Sequence, residues 1–263
     1  MSGSGSGSTS STGASDASDV LWLRPQRARR QPHVALSQDE IARVAVAIAD
    51  AEGTDALTMR RIAQDLGCGT MSLYRHVRTK DEVFDLIVDT ALGEVERPAA
   101  PSGDWLADLR QLAVAKRTVL LAHPWLARLL AGRPLVGPRA LASTEYALRV
   151  VAELGLSMDD RVRVINTLHS FVNGFVQTEW EERTWRRPAD EATGGGGAID
   201  RDGDPADDWR ARTLPYLRHV LDSGRYPYFS AMVDEATSHP DPEADFAWQL
   251  QRVLDGLATV VNG

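Results

Sequence analysis

A single cysteine, Cys68, stands in the 263 residues, so neither an intrachain disulfide nor a cysteine-built zinc site can form. Its place between two predicted helices leaves two uses open, a redox-sensing thiol or, the commoner one, a small packed side chain. Long apolar runs are missing, which excludes a membrane-spanning helix, and the Ser/Gly-rich start has no hydrophobic secretory core; a cytoplasmic protein is expected. The signatures of catalysis are missing too. There is no G-x-S-x-G elbow, no H-E-x-x-H, no phosphate-cradling glycine loop and no cluster among the six histidines. No catalytic residue, metal ligand or cofactor is therefore expected. Asp200, Asp202 and Asp204 imitate the opening of a calcium loop, but Pro205 stands where a glycine is needed and Ala211 where the bidentate glutamate belongs.

What remains is helical. Hydrophobic residues make up 43% of the chain, enough for a sizeable core, and they recur at three and four with no convincing strand, which predicts an all-α protein of one small and one larger domain. The net charge of −8 is unevenly spread: residues 24–80 hold 10 basic groups against 6 acidic ones, while residues 81–263 hold 19 against 29. A basic end on an acidic body suits a molecule that turns one end toward a polyanion.

The stretch Leu57–Val83 reads as two short helices joined by a glycine-bearing turn. Thr58 caps the first, whose Ile62, Ala63 and Leu66 share one face, and Gly67 permits the positive φ that stops it. In the second, Thr70 is placed to accept at the N-terminus, Leu73 and Val77 point inward, and Ser72, Tyr74, Arg75, His76 and Arg78 face out. Hydroxyls, a phenol, a guanidinium and an imidazole on one exposed helix match the chemistry of base edges and phosphate oxygens. The same spacing also serves any helical hairpin with a polar outer face, so spacing alone leaves both uses open.

The wording narrows them. Ala51-Glu52-Gly53, Leu57-Thr58-Met59-Arg60-Arg61-Ile62-Ala63, Leu66-Gly67, Ser72-Leu73-Tyr74-Arg75-His76-Val77 and Lys80-Asp81-Glu82, in this order within Ser37–Glu94, resemble the N-terminal domain of the tetracycline-repressor (TetR) family of bacterial transcription regulators. The resemblance implies a helix-turn-helix whose third helix lies in the major groove of double-stranded DNA. It implies that Lys80 holds a phosphate, that Tyr74 and His76 contact phosphates, and that Arg60 opens the second helix beside the backbone. Thr70, Met71, Ser72 and Arg75 would face the groove. Family members often carry aromatic or amide residues where Met71 and Arg75 stand, so the operator sequence does not carry over.

In chain order, residues 1–22 form a Ser/Gly-rich leader expected to be disordered, and residues 23–36 a basic arm. The arm is a solvated linker or, with Arg27, Arg29 and Arg30, a follower of the minor groove or neighbouring phosphates. Residues 37–97 form the helix-turn-helix domain, with capping boxes at Ser37/Glu40 and Thr79/Glu82 and an apolar stripe Val83, Phe84, Ile87, Val88, Leu92 on helix 4, which leads into the body. Residues 98–103 are a Pro/Gly boundary, and 104–263 a larger helical domain with a flexible loop at 189–208.

In that larger domain His123-Pro124-Trp125-Leu126, Gly132-Arg133-Pro134, Gly137-Pro138 and Phe171-Val172-Asn173-Gly174-Phe175 look like the C-terminal domain of the tetracycline-repressor branch itself. That implies a two-fold homodimer through helices 159–183 and 243–262, and a pocket for a small, largely apolar effector lined by Trp105, Leu109, Leu112, Trp125, Leu129, His169 and Asn173. Each of these also fits plain core, and His169 fits a hydrogen-bonded core histidine. Aligned on Arg133-Pro134, the metal-carrying histidine of tetracycline repressors falls on Leu129, which cannot bind Mg²⁺. The expectation is a dimeric repressor of a palindromic operator, released by its effector. The alternative is a DNA-binding dimer without a small-molecule effector, controlled by a protein partner or acting as an activator.

Overall fold

The computed structural model describes residues 21–24, 36–131, 134–186, 205–235 and 241–262. Among them are eleven α-helices and no strand, in agreement with the all-α reading. The 1–20 leader, the Arg27, Arg29 and Arg30 part of the arm and the 189–204 part of the expected loop lie outside the described residues. Contacts divide the chain into two units, the first comprising the described residues of Met1–Val95 and Arg128–Glu145, the second those of Glu96–Ala127 and Tyr146–Gly263. Residues 128–145, read from sequence as part of the second domain, group with the first unit.

The first unit is built on four N-terminal helices: α1 Gln38–Glu52, α2 Met59–Asp65, α3 Thr70–Leu73 and α4 Lys80–Leu92. Three of them start as their sequence dictates. The hydroxyls of Ser37, Thr58 and Thr79 accept from the backbone N–H groups of Glu40, Arg61 and Glu82, each at 3.1 Å, satisfying N–H groups that a helix start leaves without partners. Gly67, at φ +62°, turns the chain after α2. The apolar spacing of α1 and α4 becomes the core: Ile41, Ala45, Leu57, Ile62, Leu73, Val77, Val83 and Ile87 are all buried, and α1 packs on α4 and α2. Each fully buried aliphatic side chain contributes about 1.5–3 kcal/mol, so the head folds around α1 and α4 and presents α3 at its edge.

Two details depart from expectation. Thr70 does not cap α3: Gly69 holds that position with no side-chain bond, and Thr70 is the first helical residue. The α-helix also stops at Leu73 and tightens into turns, the N–H groups of Arg75 and His76 donating to the carbonyls three residues back, Ser72 and Leu73. The turns still bury both Leu73 and Val77, so the inward pair is kept.

Sequence gave no hint of Asp89. This α4 carboxylate is buried, and its Oδ1 accepts from the N–H groups of Arg139 and Ala140, both at 2.9 Å, at the start of α7 (Pro138–Val150). It acts as a helix cap supplied from another helix. Gly137 is required there, because a Cβ would collide with the Asp89 carboxyl group.

In the second unit, α5 (Trp105–Ala122) packs on α8 (Met158–Arg186) and on α11 (Pro242–Asn262), with Asp104 capping α5 through the Ala107 N–H at 3.0 Å. The unit also holds α9 Pro205–Asp222 and α10 Pro227–Glu235, while α6, Pro124–Leu130, is divided between the two units after Ala127. Residues 205–208, expected to belong to the loop, are helical, because Pro205 opens α9 at the position where proline is favoured. Arg117 of α5 ties the three main helices together. It makes a two-bond pair with Glu179 of α8 at 2.9 and 3.0 Å and reaches Glu243 of α11 at 2.7 Å. Its guanidinium lies 4.7 Å from the Phe246 ring centroid and 5.8 Å from that of Phe175.

Candidate functional site

The outer surface of α3 and its following turns carries the residues expected to face DNA. Met71 is 76% exposed and Tyr74 42%, Arg75 is exposed, and Thr70, Ser72 and His76 are half-buried. The Thr70 hydroxyl, freed from capping, makes no hydrogen bond among the described residues, so it is available to an external partner. Arg60, at the start of α2, is exposed, and Lys80, the first residue of α4, is exposed with its ammonium 5.3 Å from the Phe84 ring centroid. Arg61, beside Arg60, is instead committed to Glu52 at 2.7 Å and Asp65 at 2.5 Å. The helix-turn-helix thus separates a guanidinium held by its own acids from those left outward. Burial, and then the charge of Arg75, lower the His76 imidazole below its ordinary value, which favours the neutral ring.

The start of the arm joins this surface. Leu21 is buried in a short 3-10 turn, Leu21–Leu23, with its carbonyl accepting from Gln38 Nε2 at 3.4 Å. Arg24 then spans Glu82 with two hydrogen bonds of 2.5 and 2.7 Å and donates to the His76 carbonyl at 3.3 Å. Glu82 also accepts from the Arg78 N–H at 2.7 Å. Burial alone would raise the Glu82 carboxyl; the Arg24 and Arg78 hydrogen bonds and charges outweigh it and hold the group below the ordinary range. Arg24 therefore fastens the end of the turns after α3 to the first turn of α4. Charge-assisted bonds at this depth contribute about 1.5–3 kcal/mol. Arg24→Ala is expected to lower the unfolding free energy of the first unit, read from urea titration, by an amount in that range and to weaken operator binding, measured by fluorescence anisotropy, even though Arg24 is not among the residues expected to face the groove.

Of the residues read as an effector pocket, Leu109, Leu112 and Trp125 are buried and Trp105 is half-buried, all in the second unit, whereas half-buried Leu129 falls in the first. Trp125 meets the ring of His123 at 5.6 Å between centroids. His169 and Asn173 lie one turn apart on α8. The expected hydrogen bond of His169 is not found: its ring has no partner among the described residues, and the buried Asn173 Oδ1 has none either. Burial, reinforced by the charge of Lys116, pushes His169 down to about 3. An unfolded imidazole gains a proton below about pH 6.5, and the folded one does not until about pH 3, so stability must fall as pH falls through that window, at up to about 1.4 kcal/mol per pH unit. Urea titrations at pH 7 and pH 5 are expected to show the loss, and His169→Gln to flatten it. Elsewhere in this unit, a cleft of about 300 Å³ between α8 and α11 is lined by Phe171, Phe175, Glu179, Pro242 and Asp245 among others.

Comparison with known proteins gives the chain's family. Residues 41–87 match the family model for bacterial regulatory proteins of the tetR family, and residues 97–261 the model for the tetracyclin repressor-like C-terminal domain. The chain is 37% identical over 259 residues to the HTH-type transcriptional repressor DrrR1 of Streptomyces coeruleorubidus, covering 97% of this chain and 90% of that protein. It is 30% identical over 226 residues to the class A tetracycline repressor protein from transposon 1721 of Escherichia coli, covering 85% and 91%. Its fold superposes on crystalline ActR from Streptomyces coelicolor with a TM-score of 0.67 at 29% identity, over 88% of this chain and 98% of that one; ActR solved with actinorhodin gives 0.65. No helix among the described residues is long and apolar enough to cross a membrane. With both family models matched in order, the second alone over more than half of the chain, the chain belongs to the TetR family of bacterial transcription regulators.

Proposed function

We propose that this chain is a one-component repressor: a homodimer that reads a palindromic operator with α3 and leaves it when a small, largely apolar effector binds the second unit. The observation that carries the first half is the exposure of Met71, Tyr74 and Arg75 on a segment whose Leu73 and Val77 are fully buried, which sets guanidinium, phenol and thioether outward on a rigid base. Arg60, Tyr74, His76 and Lys80 act as phosphate contacts, and Thr70, Met71, Ser72 and Arg75 as the groove face. Arg27, Arg29 and Arg30 follow the adjoining groove or phosphates.

Dimerisation through α8 and α11 is supported by large apolar side chains left in solvent on both helices, Val162 and Trp180 on α8 and Trp248 and Val260 on α11. The effector reading draws on the ActR structure with actinorhodin and on the polar groups without partners in this chain's own second unit. Release works by population shift. Effector favours head positions that no longer match two half-sites, so effector and operator weaken each other by the same factor.

Footprinting on the DNA upstream of the chain's own gene tests the reading. Protection of two half-sites about 34–36 Å apart, abolished by a ligand that binds the second unit, is the expected result. Protection that no ligand of the second unit relieves would favour the effector-free dimer, and no site-specific protection would overturn the operator reading.

A further inference from the structure

Lys116 and Arg117 are consecutive on α5 and both buried, yet their surroundings are opposite. Arg117 holds two carboxylates, Glu179 and Glu243. Lys116, 8% exposed, has no hydrogen bond or ion pair among the described residues. Burial pushes it down to about 8, and no acid among the described residues counteracts that fall. An ammonium at this depth without a counter-charge is destabilising, and proteins pair such groups. The acids on the facing helix do not supply the pair, since Glu179 is taken by Arg117 and Arg183. On α8 the group that feels the Lys116 charge is His169, itself held neutral and without a partner. One turn further along α8, Asn173 Oδ1 is buried without a donor. The frame around these groups is apolar: Leu109 and Leu112 precede Lys116 on α5, and Leu168 and Val172 flank His169 on α8, all buried.

We infer that Lys116, with His169 and Asn173, forms the polar end of the ligand site, and that the ligand carries one anionic group, of the carboxylate class, on an apolar body. This rests on the effector reading above and gives the effector a charge. The anion would pair with the Lys116 ammonium. Asn173 Oδ1 would accept from a ligand hydroxyl or N–H, and His169 would present a neutral imidazole to the same end. A fully neutral apolar molecule would fill the frame but leave the ammonium unpaired, which is why the site discriminates between the two.

Calorimetric titration of the full chain with 2-naphthoate and with 2-naphthamide, nearly isosteric and differing by one charge, tests this. The expected result is at least tenfold tighter binding of naphthoate. In Lys116→Met that preference should vanish, with naphthoate losing at least tenfold in affinity. The variant loses a buried charge for an apolar side chain of similar length and should melt at a higher temperature than the wild type, so its folding is checked in the same experiment. Equal affinities in the wild type, a preference that survives Lys116→Met, or no binding of either compound would overturn the inference. Operator anisotropy on the same samples separates it from the reading beneath it. Naphthoate bound through Lys116 without operator release would uphold the anion site and contradict release, whereas release by both compounds in the variant would do the reverse.

Discussion

Arg117→Ala is expected to destabilise the second unit by about 3–5 kcal/mol, the cost of leaving a buried charge without its partner. Glu179 is only 4% exposed, and removing the guanidinium takes away both of its bonds to Arg117, leaving it only Arg183, whose side chain is half in solvent. The same change strips the Phe246 ring of a cation 4.7 Å away and releases α11 from Glu243. Urea unfolding followed by tryptophan fluorescence measures the loss. The double variant Arg117→Met, Glu179→Leu should recover most of it, because the buried pair offsets its own desolvation and adds little beyond it. A loss below about 1 kcal/mol in the single variant would mean that the pair behaves as a surface ion pair.

Arg75→Ala is expected to lower operator affinity by about 1–3 kcal/mol for each half-site, or about 2–6 kcal/mol for the proposed dimer, while leaving non-specific DNA binding nearly unchanged. The contrast with Lys80→Ala is the informative part. Lys80 is exposed at the start of α4 and suited to a phosphate, so its loss should weaken all DNA alike and reduce the salt slope by about 1 per half-site. Anisotropy titrations at several salt concentrations against operator and scrambled duplexes separate the two. Equal effects of both substitutions on both duplexes would remove Arg75 from the groove face.

Much of this architecture could be read before any coordinates. Capping at Ser37, Thr58 and Thr79 is local chemistry, in which a short oxygen-bearing side chain stands three residues before the N–H it accepts, so the caps were legible from spacing. The buried faces of α1 and α4 followed from periodicity for the same reason. Thr70 was misassigned because a threonine and a glycine adjoin there, and the glycine took the cap. The contacts that sequence did not show are long-range. Asp89 meets Arg139 and Ala140 some fifty residues away, Arg24 meets Glu82 across a similar span, and no periodicity encodes which helix end a buried carboxylate will cap. Lys116 lay in plain view at apolar spacing after Leu109 and Leu112, as a charge where the pattern asks for a hydrophobe. Only the absence of an acid around it among the described residues, visible in three dimensions, makes that irregularity the basis of the inference above.

The most direct test of the central claim is sedimentation velocity of the full chain titrated onto a labelled duplex from its own upstream region, with a scrambled duplex as control. The account predicts a single complex of two chains per duplex, formed on the upstream sequence and lost with Arg75→Ala. One chain per duplex, or equal binding to the scrambled duplex, would contradict it.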